Sequence, residues 1–416
     1  MTKLEALSKY FGHTAFRPAQ DSIIDALLSG RDVLGVMPTG AGKSICFQIP
    51  ALLLPGVTLV ISPLISLMKD QVEQLRHGDI PAAFINSSLT AKQYKEVLRR
   101  VGDGRYKIIY VAPERLETAA FLQFALETPV SLIAVDEAHC VSQWGQDFRP
   151  SYLKIAKFID TLKNRPVIGA FTATATTDVK SDIIRLLKLA DPMNLTTSFD
   201  RPNLFFGVEK PKNKSKRFHD MIAERCDFSG IVYCTTRRTV NTVCAELRRR
   251  GISAARYHAG LEDMERRVSQ DNFIQNNITV MVATNAFGMG IDKPDVRYVI
   301  HYNMPKNIES YYQEAGRAGR DGKPSDCILL FSDEDIKTAE HLLKDSGQNV
   351  ELTEKERRNV LMQDIRRLDK MIRYNEIDSC LRSYILRYFG EKQKGKCGNC
   401  SNCNKPSIWS RLFRAT

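Results

Sequence analysis

The sequence predicts an α/β protein of two tandem domains, each a parallel sheet wrapped by helices, followed by a helical, cysteine-bearing module. Three observations carry that expectation. Short apolar, β-branched runs alternate with stretches of helical spacing, and the alternation restarts after a break at Asp200-Arg201-Pro202-Asn203. From about Asp333 to Phe389 no strand-like run occurs, and a Gly/Cys/Asn-rich knot then closes the chain. The expected boundaries are residues 1–205, 206–340 and 341–408, with 409–416 as a tail.

In the first domain the strand-like runs are 32–36, 57–61, 107–111, 132–135 and 167–171; in the second they are 230–234, 279–283, 296–300 and 327–331. Runs of four to six with little alternation suit strands buried on both faces, hence parallel sheets covered by helices. Residues 239–250 have helical spacing, as does the segment that opens at Lys43.

Composition bounds the function classes. The chain has 416 residues, 43% hydrophobic and 26% charged, which is ordinary for a globular protein of two or three domains. No apolar run reaches the roughly 18 residues of a membrane span. The N-terminus carries neither a secretory signal nor a transit-peptide pattern, so the chain is expected to stay where it is made. The net charge is +12, and residues 351–416 hold 15 basic against 8 acidic side chains, as expected of a surface that meets phosphates. Cys46, Cys140, Cys226, Cys234, Cys244 and Cys327 are scattered, and they read as buried small hydrophobes of a reducing compartment.

Met37-Pro38-Thr39-Gly40-Ala41-Gly42-Lys43-Ser44 follows a strand-like run and opens a helix. Glycines let backbone amides turn inward around phosphates, and the helix N-terminus adds positive potential. Lys43 reaches the outer phosphates and Ser44 can hold Mg²⁺. The strict pattern wants Gly where Met37 stands. A second apolar run ends in Asp136-Glu137-Ala138-His139, and adjacent carboxylates at the end of a buried strand are costly unless a cation or water needs them. Asp136 is expected to hold Mg²⁺ and Glu137 to orient and deprotonate an attacking water. A third motif, Gln313-Glu314-Ala315-Gly316-Arg317-Ala318-Gly319-Arg320, places Arg317 and Arg320 on one face if the segment is helical. Such arginines can neutralise charge in phosphoryl transfer, and assembling catalysis from two closing lobes gives nucleotide binding mechanical consequences.

These three elements resemble those of superfamily 2 helicases, and specifically of the RecQ DNA helicases, over about Leu7 to Cys403. Phe11-Gly12-His13 with Phe16-Arg17-Pro18-Ala19-Gln20 looks like the family's adenine-sensing segment. Residues 62–71 and 112–116 match its strand-gripping motifs, 171–175 the motif joining hydrolysis to movement, and 283–294 its fifth motif. The resemblance implies two RecA-like P-loop domains, an ATP site of His13, Arg17, Gln20, Thr39, Gly40, Ala41, Gly42, Lys43, Ser44 and Gln313, and Mg²⁺ on Ser44 and Asp136. Chemistry agrees for Gln20, whose amide can meet both the N6 donor and the N7 acceptor of adenine. Where the family often stacks an aromatic ring, His13 stands here.

Residues 140–150, which contain Trp144, Phe148 and Arg149, are similar to the aromatic-rich loop by which RecQ enzymes sense single-stranded DNA. Aromatic faces stack on unpaired bases at roughly 1–3 kcal/mol per base. A packed loop is the alternative reading. At the C-terminal end, Cys397, Cys400 and Cys403 stand at three-residue intervals, with Cys380 upstream. Four thiols suit tetrahedral zinc; a disulfide, a redox pair or an iron–sulfur cluster are alternatives on the residues alone. The RecQ resemblance implies structural Zn²⁺ on Cys380, Cys397, Cys400 and Cys403.

The resemblance further implies an ATP-dependent 3′–5′ DNA helicase of recombination and repair, acting on single-stranded DNA and tailed duplexes. It would be cytoplasmic and nucleoid-associated in a bacterium and nuclear in a eukaryote, with no membrane association and with any repair or single-strand-binding partner undetermined. The family's winged helix finds no counterpart in the few residues after the cysteine knot, so either a naturally short form or a piece of a longer protein is expected. The aromatic loop and the cysteines favour DNA over an RNA-remodelling enzyme. Lys43, Asp136, Glu137 and the two arginines favour a motor over an annealing protein with a vestigial ATPase, and a P-loop kinase needs neither the arginine motif nor the base-stacking loop.

Overall fold

The computed structural model describes residues 1–288, 293–346, 352–393 and 395–404. Met289 to Asp292 of the fifth motif, and the expected tail, lie outside the described residues. The chain divides into two compact units, Met1–Ser198 and Phe199–Thr416.

The first unit is a seven-stranded sheet of β1 (Val33–Val36), β2 (Val57–Ile61), β3 (Ala82–Ile85), β4 (Ile108–Val111), β5 (Val130–Val135), β6 (Val167–Thr172) and β7 (Met193–Thr196). Their order is β3-β4-β2-β5-β6-β1-β7, and every pairing is parallel. Strands β1, β2 and β4 are buried along their whole length, as continuous apolar runs demand. Phe47, on the helix Lys43–Leu53, packs against Phe171 of β6 with ring centroids 5.5 Å apart, fixing that helix to the sheet. Because all strands run the same way, the loops after β1, β2, β5 and β6 leave one edge of the sheet. The ladder carries into them: Met37 N–H donates to Thr172 O and Asp136 N–H to Ile61 O, both at 2.9 Å. The phosphate loop and the carboxylate pair therefore emerge from strands with β6 alone between them.

The second unit holds a six-stranded parallel sheet of β8 (Leu204–Glu209), β9 (Gly230–Tyr233), β10 (Ala254–Tyr257), β11 (Val280–Ala283), β12 (Tyr298–His301) and β13 (Ser325–Leu330), ordered β10-β11-β9-β12-β13-β8. The helices Asp333–Ser346, Glu354–Glu376 and Leu381–Tyr388 follow, as the strand-free stretch predicts. Cys400 bridges in parallel to Phe206 of β8, and Ser401 N–H donates to Phe206 O at 2.9 Å, so the cysteine knot covers an edge that would otherwise stay open.

Four strands escape the sequence reading. β3 begins with two alanines, β7 alternates half-buried and exposed positions at a sheet edge, β8 carries Gly207, and β10 holds Arg256 in its middle. None presents the unbroken β-branched run that marks the others. Of the six scattered cysteines, Cys226 departs from expectation: it is exposed, whereas the other five are buried. Among the described residues, no helix is long and apolar enough to cross a membrane.

Candidate functional site

The phosphate loop is shaped by two left-handed residues, Gly40 at φ +85° and Gly42 at φ +79°, the second of which caps the helix Lys43–Leu53. A Cβ on Gly42 would lie 2.4 Å from the Gln20 amide nitrogen, so the position excludes side chains twice over. Met37, the departure from the strict motif, is fully buried, with its sulfur 3.8 Å from the Cys46 thiol. Its carbonyl accepts from Lys43 Nζ at 3.2 Å, which lays the ammonium along the base of the loop. The first turn of the helix has no side-chain cap, so its amides are free to meet phosphate oxygens.

Gln20 is buried, and both ends of its amide are engaged. Oε1 accepts from the Arg17 N–H at 2.8 Å, and Nε2 donates to Gly42 O at 3.0 Å and Ala41 O at 3.3 Å. The Arg17 guanidinium donates to Gly40 O. Adenine recognition through Gln20 has to exchange these bonds for bonds to the base. His13 is exposed, and Thr39 and Ser44 are half-buried.

At the end of β5, the Asp136 carboxylate accepts from the Glu137 N–H at 3.0 Å, and Tyr152 Oη donates to Asp136 O at 2.9 Å. Surrounding protein and the Glu137 charge push the Asp136 carboxyl up to about 7, against the pull of Lys43, although part of the residue's surface stays open to solvent. A crowded carboxylate with one open side is suited to a divalent cation, so the donor set of Ser44 and Asp136 fits Mg²⁺. Glu137 takes a left-handed backbone conformation at φ +47°, uncommon for its type, which turns its side chain away from the run of the strand.

His139 completes this edge and is a residue the sequence reading leaves out of the site. Its Nδ1 lies 3.2 Å from Glu137 Oε2 and 2.8 Å from Thr172 Oγ1, and Thr172 Oγ1 donates to Thr174 O at 3.1 Å. Glu137 is thereby joined through a buried imidazole to residues 171–175. The available signal was its place two residues after Glu137.

In the loop that follows, Trp144 is 44% exposed. The backbone beneath it is fixed: Trp144 N–H donates to Ser142 Oγ at 3.1 Å, and Ser142 Oγ donates to Asp182 at 2.7 Å. Phe148 is half-buried. Arg149 pairs with Asp147 at 2.9 Å and donates to Pro63 O at 2.9 Å, tying the loop to the segment after β2. An exposed indole on a rigid base is preorganised to stack.

In the second unit the helix Ile308–Ala315 carries half-buried Gln313 and ends before Arg317, with Gly316 at its C-cap. The expected helical face for Arg317 and Arg320 is therefore corrected, since both lie on consecutive turns. The glycines at 316 and 319 stop the helix, and Gly319 takes φ +54°. Arg317 is buried and donates to Gly288 O.

The four cysteines of the knot meet as expected, with sulfurs all within 4.8 Å of one another. Cys397 and Cys403 sulfurs are 3.8 Å apart. Zn–S bonds of about 2.3 Å in a tetrahedron require S···S of roughly 3.8 Å, whereas a disulfide needs about 2.05 Å. The Ser383, Asn399 and Cys403 N–H groups donate to the sulfurs of Cys380, Cys397 and Cys400 at 3.3–3.4 Å, supporting thiolate charge. Donors of this type and spacing fit a closed, structural Zn²⁺ site.

Comparison with known proteins agrees with this architecture. Residues 17–182 match the DEAD/DEAH box helicase family, 213–322 the helicase conserved C-terminal domain, and 333–404 the RecQ zinc-binding family. The chain is 46% identical to the ATP-dependent DNA helicase RecQ of Bacillus subtilis (strain 168), over 95% of this chain and 66% of that protein. It is 37% identical to the probable ATP-dependent DNA helicase RecS of the same organism, over 97% of this chain and 92% of the relative. The chain belongs to the RecQ helicase family. It spans less than two thirds of the length of the RecQ proteins it first matches. The RecQ-family chain also shares its fold with the DUF1998 helicase MrfA, whose structure is bound to DNA, at a TM-score of 0.67 and 19% identity over 84% of this chain and 50% of that one.

Proposed function

We propose that this RecQ-family chain is an ATP-dependent DNA helicase that tracks 3′ to 5′ on single-stranded DNA and separates tailed duplexes, in recombination and repair. The observation that carries the reading is the exposed Trp144 on a rigid loop seven residues after Glu137 in a strand-end ATPase motif. A base stacked on that ring is reported through the short chain segment to the carboxylate that prepares the attacking water.

In this reading Lys43 and the amides of residues 40–44 hold the β- and γ-phosphates, while Gln20 and Arg17 release the loop carbonyls to read adenine. Glu137 orients and accepts a proton from water, and His139 holds Glu137 in register with the 171–175 motif. Arg317 and Arg320 neutralise charge on the transferred phosphoryl group. Ser44 and Asp136 would hold Mg²⁺, which would supply positive charge to offset that of the phosphates. Cys380, Cys397, Cys400 and Cys403 would hold Zn²⁺, which would fix the C-terminal module. The protein is expected in the bacterial cytoplasm with the nucleoid, or in the nucleus of a eukaryote.

The test is strand separation on duplexes with a 3′ or a 5′ tail, with ATP and with a non-hydrolysable analogue, alongside hydrolysis stimulated by single-stranded DNA or RNA. Unwinding of the 3′-tailed DNA with ATP alone is expected. Stimulation by RNA equal to that by DNA would move the assignment to an RNA-remodelling enzyme.

A further inference from the structure

The segment 200–204 separates the two series of strands in sequence and carries no catalytic motif, yet it makes polar contacts on two sides. On one side the Arg201 guanidinium donates to three carbonyls of the arginine turn: Nη1 to Gly316 O at 3.3 Å, and Nη2 to Ala318 O at 3.0 Å and Gly319 O at 2.9 Å. Asn203 Nδ2 adds bonds to Gly319 O at 2.9 Å and Lys323 O at 3.0 Å. These acceptors flank Arg317 and immediately precede Arg320. A turn that replaces a helix has no i→i−4 ladder of its own, so Gly316 O and Ala318 O take a donor from Arg201, while Gly319 O also accepts from the Gly322 N–H at 3.1 Å.

On the other side the cysteine module grips the same segment. Arg382, nearly fully buried on the helix that starts after Cys380, donates to Asp200 Oδ1 and to Arg201 O, both at 2.6 Å, and to Leu204 O. Its guanidinium lies 5.3 Å from the Phe206 ring centroid. Asn399, between two of the clustered cysteines, donates through Nδ2 to Pro202 O at 2.9 Å and Leu204 O at 3.1 Å. The same module ties to the helix leading into the turn, through Tyr388 Oη donating to Glu309 at 2.6 Å.

We propose that Arg201 is a positioning residue for the arginine turn, and that Arg382 and Asn399 make the cysteine module the anchor against which Arg201 holds it. The inference rests on the reading of Arg317 as a transition-state arginine. A planar fork serving three carbonyls sets the turn more tightly than a point charge can, since each bond fixes the direction of the others. Displacing a charge-stabilising group by an ångström costs rate without costing substrate affinity.

The test uses the full chain with Arg201→Ala, Arg201→Lys, Asn203→Ala, Asn399→Ala and Arg317→Ala. Readouts are kcat and KM for single-strand-stimulated ATP hydrolysis, affinity for a non-hydrolysable ATP analogue, zinc content and Tm. Arg201→Ala is expected to lower kcat by about tenfold or more, with KM and analogue affinity within about twofold and zinc content as in the parent. Arg201→Lys should recover part of the loss, and Asn203→Ala and Asn399→Ala should each lower kcat by roughly two- to fivefold. Parental kcat in Arg201→Ala beside a lost kcat in Arg317→Ala overturns the positioning role. If Arg201→Ala does not fold, parental kcat in both Arg201→Lys and Asn203→Ala overturns it equally. Parental kcat in Arg317→Ala overturns the underlying reading of the turn instead.

Discussion

The two charged sites are built in opposite ways. The nucleotide cradle of the first unit is local: Lys43 bonds to Met37 O six residues back, Glu137 to Asp136 beside it, and Gly42 caps the helix that Lys43 begins. The arginine turn of the second unit is held from afar, by Arg201 more than a hundred residues earlier in the chain, itself held by Arg382 from later. A local site survives the loss of distant contacts, but any substitution within it removes chemistry directly. A site held from afar keeps its own residues intact and loses function when a remote strap fails. The two sites should therefore respond to different mutations.

The largest expected effect is at the local site. Lys43→Ala removes the one ammonium along the base of the phosphate loop, and hydrolysis should fall by roughly 10²–10³-fold or more. Far-ultraviolet circular dichroism should stay parental, because Lys43 donates only to a neighbouring carbonyl. Turnover within tenfold of the parent would break the assignment of the loop.

That contrast also explains what was legible in the sequence. Lys43, Asp136, Glu137 and three of the four clustered cysteines stand in short motifs whose spacing is the geometry, and the structure brings Cys380 to the other three. Arg201, Asn203 and Arg382 are ordinary polar residues outside any motif, and their partners are 115 or more residues distant, so spacing carries no information about them. The helical face expected for Arg317 and Arg320 failed for a local reason, because two glycines in five residues end the helix at Ala315. β7 and β10 were missed because edge position lets Asn194, Thr196 and Arg256 interrupt the apolar run.

Removing the anchor is the next strongest test. Cys397→Ala, or prolonged chelation, should abolish stoichiometric zinc and lower Tm by several degrees, at about 2–4 °C for each kcal/mol lost in a unit of this size. Because the knot also holds the 202–204 backbone through Asn399, kcat should fall with it. Loss of zinc with unchanged kcat would sever the second site from its anchor. Metal analysis finding no zinc in the parent would overturn the site altogether.

A smaller effect is expected at the aromatic loop. Trp144→Ala should raise the concentration of single-stranded DNA giving half-maximal stimulation by roughly 5- to 150-fold, from about 1–3 kcal/mol of lost stacking. Trp144→Phe should recover much of it, since a smaller ring keeps a face to stack upon. Equal stimulation in parent and Ala variant would leave the exposed indole without a role in sensing DNA.

The smallest effect falls where the local site reaches slightly beyond its motif. Gln20 spans 22 residues to hold Gly42 O, and with the Arg17 tie to Gly40 O it resembles the straps of the second unit on a shorter scale. Gln20→Ala removes donors to two loop carbonyls and a recognition amide together. The loop still keeps its glycines and Lys43, so kcat at saturating ATP should change by less than about threefold while KM for ATP rises by roughly three- to tenfold. The preference for ATP over GTP should shrink by a similar factor, because the amide's donor and acceptor match the N7 and N6 groups of adenine. A Gln20→Glu variant separates the two roles, since its carboxylate cannot donate to the carbonyls of Ala41 and Gly42 and can still accept from the adenine N6 amine. If Gln20→Glu keeps the ATP preference but shares the raised KM, the ties to the loop dominate the affinity; if both are lost together, the bidentate reading of adenine does.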